Sequence, residues 1–315
     1  MGHPRGRAGI ATYRDGFLIY NPSARGLEGR RIKRVDRALE ALHQAGHRVL
    51  AIRTQGRGTA SGIARECVRG GAGLILVAGG DGTINEVANG MIHEAIPLGI
   101  LPAGTGNVLA TELDLRGRVD EVAREVGAWV PRRISAGLLT ASGGAVQRHF
   151  LMMAGVGFDA HVVGRVDPNL KKSHGKLSYW IAGAGELKRR LDEFDVTVGA
   201  TRRRATFALA GRVRNYGGTV KITRHAGLLR ADFGLILFEG RNTFRYLKYL
   251  AGALTDRLER MHGVSVLHVE AAEFHASGEK PVYVEVDGEL AGKLPAKIEI
   301  VPDALTLLTP PGFAG

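Results

Sequence analysis

The sequence predicts an α/β protein: a parallel-sheet domain over the first 130 residues, followed by a mainly antiparallel second domain. Three observations carry this expectation. Strand-like and helix-like runs alternate up to about Pro131, the order that a parallel sheet with crossover helices requires. Two glycine-rich turns, around Gly79–Gly82 and Gly104–Gly106, each stand where an apolar run gives way to a helical pattern. Beyond Pro131 the texture changes to short β-like runs punctuated by turn signals.

Taken in order, Phe17–Tyr20 is a short apolar run that stops at Asn21-Pro22-Ser23. Ile32, Val35, Leu39 and Leu42 mark one helix face, which Gly46 ends, and His47–Ile52 supplies the second strand. A helix near Thr59–Arg69 leads to Leu74–Ala78, a continuous apolar run of the kind buried on both faces of a parallel sheet. After Gly79–Gly82 a helix turns Ile84, Val87, Ala88 and Met91 inward; Leu98–Leu101 is the next strand, with a further helix after it. In the second domain the expected strands are Ile134–Thr140, His149–Ala154, Thr206–Gly211, Phe233–Phe238, Val264–Val269, Val282–Val286, Lys297–Val301 and Leu305–Leu308. One long helix interrupts them, with Leu177, Ile181, Ala184, Leu187 and Leu191 on one face.

The chain has 315 residues, 44% of them hydrophobic, enough for two ordinary cores. Its formal charge of +12 favours polyanionic partners: nucleic acid, anionic lipid headgroups or nucleotide phosphates. An aromatic content of 6% without an aromatic-basic cluster argues against a nucleic-acid partner. Lys171, Lys172, Lys176, Lys188, Arg189 and Arg190 are the candidates for a basic face on an anionic membrane. The lone Cys67 fits a reducing compartment and sits at helical spacing with Ile63, Ala64 and Val68, as a core thiol does. Residues 1–16 are basic but lack the apolar middle of a secretory signal, and read as a disordered or loosely docked extension. The longest uncharged stretch, Ala95–Thr111, carries two prolines and three glycines, so any membrane contact is expected to be peripheral, on the cytoplasmic side.

The chemistry is expected at Gly79-Gly80-Asp81-Gly82-Thr83, where a buried strand meets a helix. Ligands of open parallel sheets bind beyond the carboxyl ends of strands, and a helix N-terminus there offers N–H groups to a phosphate. Asp81 can hold Mg²⁺ beside such a phosphate or cap the helix, and the two roles are compatible. The second turn, Pro102-Ala103-Gly104-Thr105-Gly106-Asn107, follows the next strand; Thr105 can donate a hydroxyl and Asn107 can brace the loop. The lysine-bearing phosphate loop and the dinucleotide fingerprint are both absent. Asp287-Gly288, preceded by alternating Val282, Val284 and Val286, reads as a hairpin turn that projects Glu289 from a strand end.

GGDGTINEV at Gly79–Val87, PAGTGN at Pro102–Asn107 and Asp287-Gly288-Glu289 together resemble the diacylglycerol kinase catalytic-domain family, which includes bacterial lipid kinases and the related sphingosine and ceramide kinases. Asn21-Pro22, Gly155–Ala160, Gly175–Tyr179 and Asn215–Gly218 add to the resemblance, which spans nearly the whole chain. It implies an α/β nucleotide-binding domain (17–130), a β-sandwich lipid-substrate domain (131–301) with the nucleotide cleft between them, and a C-terminal segment (302–315) that returns to the first domain. It further implies ATP contacts from Asn21, Thr54, Gly79, Gly80, Asp81, Gly82, Thr83, Ile84, Asn85, Glu86, Gly104, Thr105 and Asn107, and a catalytic Mg²⁺ near Asp81. Glu289 matches the family's proton acceptor, with Asp287 beside it, and the substrate would be a diacylglycerol-like or sphingoid- or ceramide-like lipid. A structural Mg²⁺ is implied at Leu229–Gly234, with Asp232 its only carboxylate, although Arg230-Ala231-Asp232-Phe233-Gly234 departs from the usual pattern there. The chain also has Val108 where many members have Asp, leaving Asp81, Asp287 and Glu289 as the main acidic candidates. The competing expectations are an NAD kinase, which shares GGDGT, and a non-catalytic basic protein that binds membranes or nucleic acid.

Overall fold

The computed structural model describes residues 11–157, 191–216, 220–223, 226–240, 248, 249, 251–253, 255 and 257–315. These divide into two compact units, 11–133 with 305–314, and 134–304 with 315. The long helix expected over Leu177–Leu191, apart from Leu191 itself, lies outside the described residues, as do the six residues of the expected basic face.

The first unit is a parallel sheet with helices. Its strands are β1 (Gly16–Tyr20), β2 (Val49–Arg53), β3 (Leu74–Gly79) and β4 (Pro97–Pro102), in the order β2-β1-β3-β4. Thr306 and Leu307, near the end of the last strand, pair in parallel with Pro97 and Leu98 of β4. Every residue of β3 is buried, and each of its large apolar side chains contributes roughly 1.5–3 kcal/mol by leaving water. Helix α1 (Lys33–Gln44) buries Val35, Ala38, Ala41 and Leu42 at helical spacing, and Gly46 (φ 85°) turns the chain out of it. Helix α2 (Thr59–Arg69) buries Ala60, Ala64 and Cys67. Burial pushes the Cys67 thiol up, as befits a packed side chain and not a nucleophile. Helix α3 (Asp81–Asn89) approaches α2 at Gly90, where a Cβ would fall 2.5 Å from the Ser61 carbonyl oxygen. Two short helices, α4 (Val108–Glu112) and α5 (Val119–Val122), follow β4.

Residues 11–15 correct the reading of a loosely docked extension. Ala11 N donates to Gly127 O, Tyr13 O accepts from Arg48 N, and Asp15 O accepts from Gly73 N. The last two bonds join the chain ahead of β1, an inner strand, to the residues ahead of β2 and β3, in a segment whose composition alone is that of a tail.

The second unit is built of antiparallel sheets. One has the order β14-β13-β10-β7-β16-β17, from Val264–Val269 (β14), Phe233–Phe238 (β13), Phe207–Gly211 (β10), Met153–Gly157 (β7), Tyr283–Val286 (β16) and Glu289–Lys293 (β17). The other strands include β5 (Val130–Ala141), β6 (Val146–Phe150), β8 (Phe194–Val198), β9 (Thr201–Ala205) and β15 (Ala271–Ala276). The short pair β11 (Asn215–Tyr216) and β12 (Val220–Lys221) stands apart, and β18 (Ala296–Thr309) closes the chain. Phe150 and Phe233 stack with centroids 5.6 Å apart inside a core shared with Val156, Phe194, Val284 and Ile298.

Three strand expectations are corrected. His149–Ala154 is not one strand: β6 ends at Phe150 and β7 starts at Met153, because the N–H groups of Leu151 and Met152 turn to a carboxylate instead of a neighbouring strand. Lys297–Val301 and Leu305–Leu308 form one fourteen-residue strand, β18, in which Pro302 and Asp303 (φ 46°) are a local irregularity. Strands β8, β9, β15 and β17 were not expected; β9 exposes four of its five residues and so lacks an apolar alternation to read.

Candidate functional site

In the first unit the candidate residues follow four adjacent parallel strands. With the order β2-β1-β3-β4, the direction of winding reverses between β1 and β3, and a crevice opens beyond the carboxyl ends of strands at such a point. Thr54 follows β2 and is buried, its N–H bonded to Tyr20 O at 2.9 Å. Asn21 follows β1; its Nδ2 donates to Thr83 Oγ1 at 3.1 Å, which ties the two strand ends at the reversal together.

Helix α3 begins at Asp81, two residues earlier than the glycine pattern suggests, with Gly80 extended at its N-cap. A Cβ on Gly79 would fall 2.6 Å from Thr83 Cβ, so the strand can enter the helix this tightly only without a side chain. The N–H groups of Gly82 and Thr83, in the first turn, have no carbonyl four residues back within the helix. Gly104 of the second turn lies against Gly80: a Cβ there would be 2.5 Å from Gly80 Cα. Asn107 (φ 46°) braces its turn by accepting Gly104 N at 2.8 Å on Oδ1. Asp81 Oδ1 accepts Val108 N at 2.8 Å, so one carboxylate joins both turns. Thr105 is exposed.

The rest of the expected segment serves the fold. Ile84 and Asn85 are buried, and Ile84 N returns to Gly80 O. Glu86 accepts Gly58 N at 2.9 Å and Ala60 N at 3.1 Å, capping α2. Helical periodicity turns every third or fourth residue of the motif inward, which is why Ile84 and Asn85 are buried.

In the second unit, Asp287 (φ 50°) and Gly288 (φ 81°) are the two central residues of the β16–β17 hairpin, both in the left-handed region such a turn demands. Asp287 is buried, and its carboxylate accepts three backbone N–H groups: Leu151 at 3.1 Å, Met152 at 3.0 Å and Met153 at 2.9 Å. Burial pushes its carboxyl up to about 6, against the pull of those three N–H groups and of Arg148. Buried Glu285 accepts Gly288 N at 2.8 Å. Glu289 is partly exposed and pairs with Arg148 at 2.7 Å. Asp287 thus fastens the hairpin to residues 151–153, while Glu289 stands at its rim. Arg148 escaped the sequence reading, since nothing local links it to a residue 141 positions away.

Asp232 does not assemble a metal centre. Arg230 donates to both of its oxygens, Nε to Oδ1 at 2.8 Å and Nη2 to Oδ2 at 2.6 Å, and holds the carboxyl below its ordinary range. Mg²⁺ is usually held through one or two carboxylates with water completing its shell, and here both oxygens of the loop's one carboxylate are taken by a guanidinium. The residues present do not fit a structural Mg²⁺ at this loop.

Residues 15–138 match the diacylglycerol kinase catalytic domain family, and residues 152–309 match the YegS C-terminal NAD kinase β-sandwich-like domain family. A diacylglycerol kinase of Mycobacterium tuberculosis is 28% identical over 288 residues, which cover 90% of this chain and 91% of that protein. An uncharacterized protein of Synechocystis is 24% identical over 247 residues; the chain spans 55% of its length. The crystal structure of a diacylglycerol kinase from Bacillus anthracis shares the fold, with a TM-score of 0.76 at 20% identity over 95% of this chain and 98% of that one.

Proposed function

The chain belongs to the diacylglycerol kinase family, and on that premise we propose that it is a kinase that moves the γ-phosphoryl group of ATP to the hydroxyl of a lipid, diacylglycerol-like or sphingoid- or ceramide-like, at a membrane surface. The observation that carries the reading is the contact of Gly80 with Gly104, stitched by the Asp81–Val108 bond, at the carboxyl ends of β3 and β4. Phosphoryl transfer asks mainly for positioning and neutralised charge. Two abutting glycine turns let a polyphosphate approach main-chain N–H groups closely, and the first turn of α3 adds its positive end.

Asp81 is a partly exposed hard oxygen donor at that rim, and its chemistry fits Mg²⁺. Bound there with the nucleotide, Mg²⁺ would supply charge neutralisation to the phosphates. In this reading Glu289 takes the proton of the lipid hydroxyl. Arg148, 2.7 Å away, sets the orientation of its carboxylate, and Asp287 holds the hairpin that carries it. A peripheral membrane site of action, at the cytoplasmic face, is part of the proposal; among the described residues no helix is long and apolar enough to cross a membrane.

The test is incubation with labelled ATP and a fractionated lipid extract, followed by identification of the labelled product. A labelled phospholipid is expected. An NAD kinase is the second reading, favoured by the description of the family matched at residues 152–309. Label passing to NAD in detergent-free buffer, and to no lipid, would replace the first reading with the second. Salt-sensitive DNA binding without any turnover would overturn both.

A further inference from the structure

The loop that precedes β13 draws on arginine where a divalent cation was expected. Arg212, directly after β10, is fully buried, and its guanidinium points at main-chain oxygens. Nη1 donates to Asp232 O at 2.6 Å, and Nη2 donates to Leu228 O at 2.9 Å and Ser135 O at 3.1 Å. Three carbonyls from two segments, the loop and β5, therefore converge on one buried positive charge. Burial pulls this guanidinium down to about 10, so it remains charged at neutral pH. A second cation closes the outside of the same loop: Arg230 grips both oxygens of Asp232, and His268 Nδ1 lies 3.4 Å from Oδ2.

Carbonyl and carboxylate oxygens are the ligands a hard divalent ion uses. Here guanidinium N–H groups already donate to them, and two fixed positive charges would repel an incoming ion. We propose that Arg212 and Arg230 together replace a structural divalent cation in the loop Ala226–Gly234, making the folded second unit independent of Mg²⁺. The replacement suits the geometry, because a planar guanidinium offers several donors in one plane and can collect separate carbonyls. It also abuts the candidate carboxylates: Arg212 N donates to Met152 O at 2.7 Å, and Met152 N donates to Asp287 Oδ1 at 3.0 Å.

The experiment is thermal unfolding of the full chain, with neither nucleotide nor lipid, in excess EDTA and in excess MgCl₂ at matched ionic strength. Its result does not depend on the lipid-kinase reading, since no turnover is measured. Superimposable curves are expected; a midpoint raised by MgCl₂ and lowered by EDTA would overturn the proposal. Arg212→Met removes a buried charge and can fail to fold, so the decisive variants are Asp232→Asn and Arg230→Gln. Each should lower the midpoint by about 2–4 °C, equally in both buffers. A loss confined to MgCl₂ for Asp232→Asn, or a gain in MgCl₂ for Arg230→Gln, would make Asp232 a metal ligand and the arginine replacement wrong.

Discussion

The glycine turns of the first unit and the Asp-Gly hairpin of the second both present a carboxylate, yet they are assembled at very different ranges along the chain. Asp81 and the Val108 N–H that it accepts are 27 residues apart, within two consecutive strand-turn-helix units. Asp287 and the Met153 N–H that it accepts are 134 residues apart, and Glu289 meets Arg148 across 141. The first site keeps its acid partly exposed beyond the carboxyl end of β3; the second buries one acid and leaves the other at the rim. The difference teaches that adjacent acidic residues in one motif can divide the labour. In Asp287-Gly288-Glu289 the first carboxylate secures the turn, while the second stands partly exposed in an ion pair with Arg148 and, under the proposed function, takes the chemistry.

The sharpest way to break this division is to compare Glu289→Gln with Asp287→Asn in single-turnover lipid phosphorylation. Loss of a general base costs roughly 10² to 10⁴ in rate, and this loss is expected for Glu289→Gln with nucleotide binding unchanged. Full transfer by Glu289→Gln together with none by folded Asp287→Asn would reverse the roles. Asp81→Asn is expected to lower turnover about a hundredfold with the fold retained, the scale of losing one positioned electrostatic group. Near-normal turnover would leave Asp81 only its cap on Val108.

Two smaller effects concern stability. In the fold Asp287 keeps its proton up to about pH 6, against 3.8 for the ordinary group. Between those values the unfolded chain binds fewer protons than the folded one, so stability falls as pH rises, by up to about 3 kcal/mol. Asp287→Asn should abolish that slope in thermal unfolding across the window. A wild-type slope of the opposite sign would mean that the three N–H bonds outweigh burial. Gly104→Ala brings a Cβ against backbone at Gly80 and should cost about 1–3 kcal/mol through forced displacement of the turns. An unchanged midpoint in denaturant would show that the turns are free to part.

Much of the first unit was legible in advance. Leu74–Ala78 reads as a strand buried on both faces and is one; α2 runs from Thr59 to Arg69, as its apolar spacing requires. The hairpin at Asp287-Gly288 was equally readable, since few residue pairs accept two positive φ values in succession. The segment Gly80–Glu86 runs on into a helix whose inward face, Ile84 and Asn85 among it, is buried, a division the motif letters do not mark. The second unit was harder. Strand β9 has no apolar rhythm, and β6 and β7 are separated only because a distant carboxylate takes two N–H groups between them.

What the sequence determined by itself was therefore local: which runs become strands, which helix faces go inward, and where glycine lets the backbone turn or approach. Periodicity and φ preference act within a few residues, so they are written in consecutive letters. Only the tertiary structure decided the order β2-β1-β3-β4 that lines up Thr54, Asn21, Asp81 and Gly104, the pairing of Glu289 with Arg148, and the capture of three carbonyls by Arg212. Each of these joins groups distant in sequence. A hydrophobic pattern states that a face must be covered, and a polar residue states that it needs a partner; neither states which one.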